Sequence, residues 1–185
     1  MLAVAYAAAH PDTISGVVMV APGTFDAVSR RHMNELIDER TTPSVRQKMA
    51  DLVNQVPDPN QRLKMHAKLM EGAYCFDSVP VRSTEPFDAG SYKETWDDMV
   101  RLQAAGVYPA AFKAITCPVL MLHGAFDPHP GDLIAASLLP HISHLEYRMW
   151  ERCGHYPWLE RAVTKEFYSV LLAWLRDESA PLRRG

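Results

Sequence analysis

The sequence predicts an α/β fold, a parallel sheet with helices between its strands, interrupted by an all-helical insertion. Three observations predict it. Ile14 to Val20 and Pro118 to Leu122 are apolar runs without alternation, the pattern of strands buried on both faces. Helical patterns separate the strands, and such alternation implies right-handed crossovers and parallel pairing. Between residues 24 and 112 the texture becomes polar and Met-rich, with helical periods and no strand signal.

Taken in order, Leu2 to Asp12 reads as a helix with five alanines and a stop at His10-Pro11. No Ser, Thr, Asp or Asn precedes Leu2 to cap its first turn. The small residues Ala7-Ala8-Ala9 fit a signal-cleavage pattern, but no cationic segment precedes them, so export is not expected. Asp12 arrives too early for a membrane span of about 20 apolar residues. The strand Ile14 to Val20 then ends at Ala21-Pro22-Gly23. Inside the insertion, Thr42-Pro43 supplies a cap and a first-turn proline to a helix whose stripe is Val45, Met49, Leu52, Val53 and Val56. Asp58-Pro59 repeats the device for a helix carrying Leu63, Ala67, Met70 and Tyr74 on one stripe. A third helix is expected near Tyr92 to Gln103, with Trp96, Met99 and Val100 on one side. The strand Pro118 to Leu122 runs into His123-Gly124, and Gly131 to Leu139 reads as a short helix. Leu145, Tyr147 and Met149 alternate with Glu146, Arg148 and Trp150, the signature of an outer strand wet on one face. The last helix carries Val163, Phe167, Val170, Leu171 and Trp174.

Composition narrows the function. The 185 residues are 48% hydrophobic, enough for a real core, and 19 basic against 22 acidic residues give a net charge of −3 without blocks of one sign. Nucleic-acid and membrane partners are therefore not expected. Cys75, Cys117 and Cys153 are widely spaced and odd in number, which disfavours both a disulfide framework and a zinc site and suggests a reducing, cytoplasmic setting. His141 and His144 are three apart, but Pro140 argues for a loop there, so no metal site and no cofactor are expected.

In open α/β sheets ligands gather beyond the carboxyl ends of the strands, and two such loops carry chemistry. One is Gly124-Ala125-Phe126-Asp127-Pro128 and the other is Cys153-Gly154-His155-Tyr156-Pro157-Trp158. Asp127 and His155 can meet in space although 28 positions apart, and a carboxylate so placed fixes an imidazole tautomer and frees its other nitrogen as a general base. Each also has an ordinary reading, Asp127 as an Asx-turn residue and His155 as a buried loop histidine. His123 is expected to pack or hydrogen-bond locally, and Cys153 to act as a small buried hydrophobe. Tyr92, Trp96, Phe126 and Trp158 suit either an apolar pocket or the core.

Together, PVLMLHGAFDP followed by RCGHYPWLE resembles the acid and histidine segments of the α/β-hydrolase superfamily, whose triad runs nucleophile, acid, histidine along the chain. The resemblance implies a partial α/β-hydrolase fold: its last three parallel strands with flanking helices, residues 1–23 and 113–185, plus a helical cap at 24–112. Asp127 matches the family acid and His155 the family histidine. MLAVAYAAAHP resembles the helix that follows the G-x-S-x-G nucleophile elbow, yet no G-x-S-x-G occurs in the sequence. Ser15 and Ser91 adjoin glycines without that pattern. The resemblance thus implies a serine and oxyanion-hole donors upstream of Met1, and a chain that by itself is inactive toward small esters, amides or related substrates. Two other expectations follow: a non-catalytic binding or assembly protein, oligomeric through the apolar edge left at Ile14 to Val20, or one half of a split hydrolase with a complementing chain.

Overall fold

The computed structural model describes residues 1–80 and 86–176. Helix α1 (Leu2–Ala9) starts without a side-chain cap and ends at His10, before a single 3-10 turn at Pro11–Thr13. Strand β1 (Val17–Val20) follows, shorter than its apolar run because Ile14 closes the 3-10 turn in extended conformation. The insertion holds α2 (Ala27–Arg40), α3 (Pro43–Gln55), α4 (Pro59–Leu69), α5 (Glu71–Tyr74) and α6 (Ala89–Ala104). Then come β2 (Val119–Gly124), α7 (Gly131–Leu138), β3 (Leu145–Trp150) and α8 (Thr164–Arg176). No helix among the described residues is long and apolar enough to cross a membrane.

The three strands are parallel in the order β1-β2-β3. Because side chains alternate across a strand, Val17, Met19, Val119 and Met121 enter one core with Val4, Ile134 and Leu138, while Leu120 and Leu122 enter a second with Trp150, Val163 and Phe167. Helices α1 and α7 thus cover one face and α8 the other. Every residue of the central strand β2 is buried, as its uninterrupted apolar run requires.

Several expectations need correction. The stretch from Asp58 to Tyr74 is two helices, broken at Met70, and Ala67 is exposed rather than part of a buried stripe. On α3 the buried residue is Leu52, with Val56 behind it, whereas Val53 is 65% exposed. Helix α2 has no counterpart in the periodicity, since its buried positions are Ser29 and Met33 rather than an apolar stripe. Its start is nonetheless written locally: Asp26 accepts from the Ser29 N–H at 2.8 Å. On β3 the alternation fails at its end, where Met149 is exposed and Trp150 turns inward to meet Phe167 edge-on at 6.1 Å.

The two ends of the helical stretch between β1 and β2 meet. Phe25, before α2, and Phe112, before β2, are fully buried and meet edge to face at 5.3 Å, and Tyr108 stacks on Phe112 at 4.8 Å. On the open side of β1, Leu2, Tyr6, Ile14 and Val18 line a shallow apolar groove.

Candidate active site

The loops after β2 and β3 are drawn together by two glycines. A Cβ on Gly124 would stand 2.2 Å from the Cys153 carbonyl oxygen, and one on Gly154 would stand 2.2 Å from the Tyr74 carbonyl oxygen. Neither approach is available to a larger residue. The Phe126 N–H donates to the Cys153 carbonyl at 2.9 Å, and the His155 N–H donates to the Tyr74 carbonyl at 2.7 Å. Three segments of chain, including the insertion's α5, therefore converge at the carboxyl end of the sheet.

There the Asp127 Oδ2 accepts from the His155 Nδ1 at 2.8 Å. Asp127 is 2% exposed, and the His155 side chain is 22% exposed. The sequence reading placed these two together, and the fold brings them into contact. It did not single out His129, whose backbone N–H and Nδ1 both reach Asp127 Oδ1 at 2.9 Å. The signal was present in Asp127-Pro128-His129, where a carboxylate two residues ahead of a backbone N–H makes an Asx turn. Burial alone disfavours the charge on Asp127, but hydrogen bonds from His129 and His155 outweigh it and hold the carboxyl well below the usual carboxylate range.

The imidazoles are held by rings. His129 and His155 stack at 4.8 Å and 26°, and Tyr74 meets them edge-on at 5.8 and 5.4 Å. Tyr156 closes the other side of His155 at 4.8 Å. Burial, helped by the charge of Asp127, raises the Tyr74 and Tyr156 hydroxyls above their ordinary values, so both phenols stay neutral. His123 is fully buried and hydrogen-bonds locally: its Nδ1 lies 3.1 Å from the Gly124 carbonyl and its Nε2 3.6 Å from Asp127 Oδ2. Burial lowers its pKa, against the pull of Asp127, and keeps it neutral. The Cys153 thiol is buried and pushed up to about 12, by burial first and then by Glu160 and Asp127, which suits packing and not nucleophilic attack.

Glu160 is the second group that sequence reading missed. It is fully buried, and its carboxylate accepts from the backbone N–H groups of Phe76 (2.8 Å), Asp77 (2.7 Å) and Gly154 (2.9 Å). One side chain thus ties the insertion to the histidine loop. Arg40 on α2 does the same for the acid loop, donating to the carbonyls of Ala73 and Phe126 and lying over the Phe126 ring at 4.1 Å. Phe126 itself meets Phe76 edge-on, and Trp158 packs between Tyr156 and Phe167. Tyr92 and Trp96 instead line an apolar recess with Met1 and Met99.

Parallel strands flanked by helices, with an acid loop and a histidine loop meeting at the carboxyl end of the sheet, define a partial α/β-hydrolase fold. Solved structures agree. The chain is similar to VinJ, at 17% identity and a TM-score of 0.61 over 97% of this chain and 62% of that one. It is also similar to an α/β fold family hydrolase from Bacillus anthracis str. Sterne, at 10% identity and 0.58 over 93% and 62%. A proline iminopeptidase from Mycobacterium smegmatis follows at 16% and 0.56 over 95% and 61%. The chain therefore spans about 60% of the length of the structures it matches. No protein-family model and no curated protein sequence matches it.

Proposed function

We propose that this chain carries the acid and histidine of a serine-type α/β-hydrolase site acting on small ester, amide or related substrates. The observation that carries the reading is the 2.8 Å hydrogen bond from His155 Nδ1 to Asp127, two residues on successive strand-end loops. In this reading Asp127 fixes the tautomer of His155, and His155 Nε2 takes the proton of a serine that residues 1–185 do not present on an elbow. Residues 1–23 and 113–185 form the partial core, and residues 24–112 form a cap over the site. The Phe25–Phe112 contact at the neck and the Tyr74–His155 contact above the site support that division. The esterase, lipase and peptidase neighbours support the reaction class through the fold alone.

The test is the native gene product from its source, characterised by intact mass and by hydrolysis of short p-nitrophenyl esters. A mass above 20.8 kDa with activity that falls by 10³-fold or more in His155→Gln is expected. Activity indifferent to His155→Gln and Asp127→Asn would end the proposal.

A second reading is favoured by the groove beside β1. Leu2 and Tyr6 on α1 are 71% and 54% exposed beside β1, which among the described residues pairs with β2 alone, and this suits assembly with another copy or a complementing chain. A stable monomer at micromolar concentration in sedimentation would count against it.

A further inference from the structure

Asp127 and His155 sit on the loops after β2 and β3, and because the strands are parallel the loop after β1 leaves from the same edge of the sheet. That edge is where ligands gather in open α/β sheets. The third loop starts from an uncommon backbone. Ala21 has φ +45°, in the left-handed region that a residue with a Cβ seldom enters, while its N–H donates to the Leu122 carbonyl at 2.8 Å. Pro22-Gly23 follow, and Gly23 lines a recess of about 360 Å³, inside the range of about 300–1,000 Å³ common to small-molecule sites. Its lack of a side chain leaves that space open, since a Cβ on Gly23 would meet nothing within 4 Å.

Most of the remaining lining comes from one face of α6, where Tyr92, Trp96 and Met99 follow one another at helical spacing. None of the lining residues is charged. The Ser91 hydroxyl is already donated to Asp88 at 2.8 Å, and Arg30, 5.9 Å over the Trp96 ring, is not part of the lining. The recess adjoins the candidate site through Tyr92. Burial first, and then neighbouring groups that include Tyr92, raise the Tyr74 and Tyr156 hydroxyls, and those two rings flank His155 at 5.4 and 4.8 Å. We propose that this recess holds the acyl group of the substrate and selects an uncharged aryl group there, with Gly23, Trp96 and Met99 setting the choice. The inference rests on the catalytic reading above, in which the nucleophile stands upstream of Met1, itself a wall of the recess, and keeps the acyl group between the two halves of the reaction. An aromatic acyl group finds ring faces and edges on Tyr92 and Trp96 and thioether sulfur on Met1 and Met99. A carboxylate on the same group would enter a lining that offers it no opposite charge.

The test compares kcat/KM of the native gene product for p-nitrophenyl acetate, p-nitrophenyl phenylacetate and the ring-carboxylated form of the latter. The phenylacetyl ester is expected to exceed the acetyl ester by about 10–100-fold, as burial of one ring implies, and the carboxylated ester to lose that advantage. Gly23→Leu, which fills the recess without a clash, and Trp96→Ala, which removes a wall, should each cut the phenylacetyl-to-acetyl ratio by about fivefold or more. Damage to the fold or to the catalytic groups lowers both rates and leaves the ratio standing. Hydrolysis that is lost in His155→Gln but shows no phenylacetyl preference, or a preference that neither variant moves, would overturn this inference and leave the catalytic reading intact. Methyl spectra of the nine methionines during titration with phenylacetamide give a readout that needs no turnover. A saturable shift at the Met99 methyl, absent with acetamide, is expected, and its absence would overturn the inference. The same shift in a protein that hydrolyses none of the three esters would retain the aryl site and sink the catalytic reading.

Discussion

Glu160→Gln separates a structural knot from a catalytic group. In the wild type Oε1 accepts from the Phe76 and Gly154 N–H groups and Oε2 from the Asp77 N–H, all within 2.7–2.9 Å and out of contact with water. A glutamine keeps one oxygen, which satisfies the first pair, but turns an NH2 group toward the third donor. Hydrogen bonds to a charged group contribute about 1.5–3 kcal/mol each, and a buried donor left unpaired costs about 1–3 kcal/mol. One lost bond, with two others weakened by the loss of charge, sums to about 3–4 kcal/mol. That is a large share of the 5–15 kcal/mol typical of a domain. Urea unfolding followed by circular dichroism should show the midpoint fall with little change in slope. A shift worth less than about 0.5 kcal/mol, the size of an ordinary surface substitution, would refute the claim that this carboxylate ties the insertion to the histidine loop.

Phe112→Ala removes a fully buried ring that touches Phe25 and Tyr108, and should cost about 3–5 kcal/mol in the same unfolding assay. Gly154→Ala drives a Cβ to 2.2 Å from a backbone carbonyl that cannot swing aside, so thermal scans should show a melting temperature many degrees lower, whereas Gly72→Ala, with open space around it, should not. The Asp127 carboxyl titrates lower folded than unfolded, so its contribution to stability is present above its ordinary value near about 4 and is lost as pH falls through the folded value. Asp127→Asn should therefore flatten the acid limb of a stability-against-pH curve while lowering its neutral plateau. The same variant cannot satisfy both Nδ1–H donors with one oxygen, and 15N spectra should show a mixture of tautomers in place of two Nε2 lone pairs.

Local pattern carried the α/β class, the buried strand β2, the cap-and-proline starts of α3 and α4, and the loops that bear Asp127 and His155. Each of these is written within a few residues: an apolar run, a capping side chain before a proline, a glycine where backbones must touch. The break of the Asp58–Tyr74 helix at Met70 and the inward turn of Trp150 were not legible, because each depends on what a neighbouring element covers. Helix α2 was missed for the complementary reason, since its first turn is fixed by Asp26 and its buried face is not an apolar stripe.

The same division runs through the site. By itself the sequence determined the two candidate loops and their order, since a strand end, a turn and the residue type at each position are local properties. Only the tertiary structure decided that Asp127 would be shared between His129 and His155, and that Glu160 would collect two backbone donors from a distant segment besides the nearby Gly154. The physical reason is that a buried carboxylate must find its donors wherever packing places them, and those donors lie up to 84 residues away along the chain.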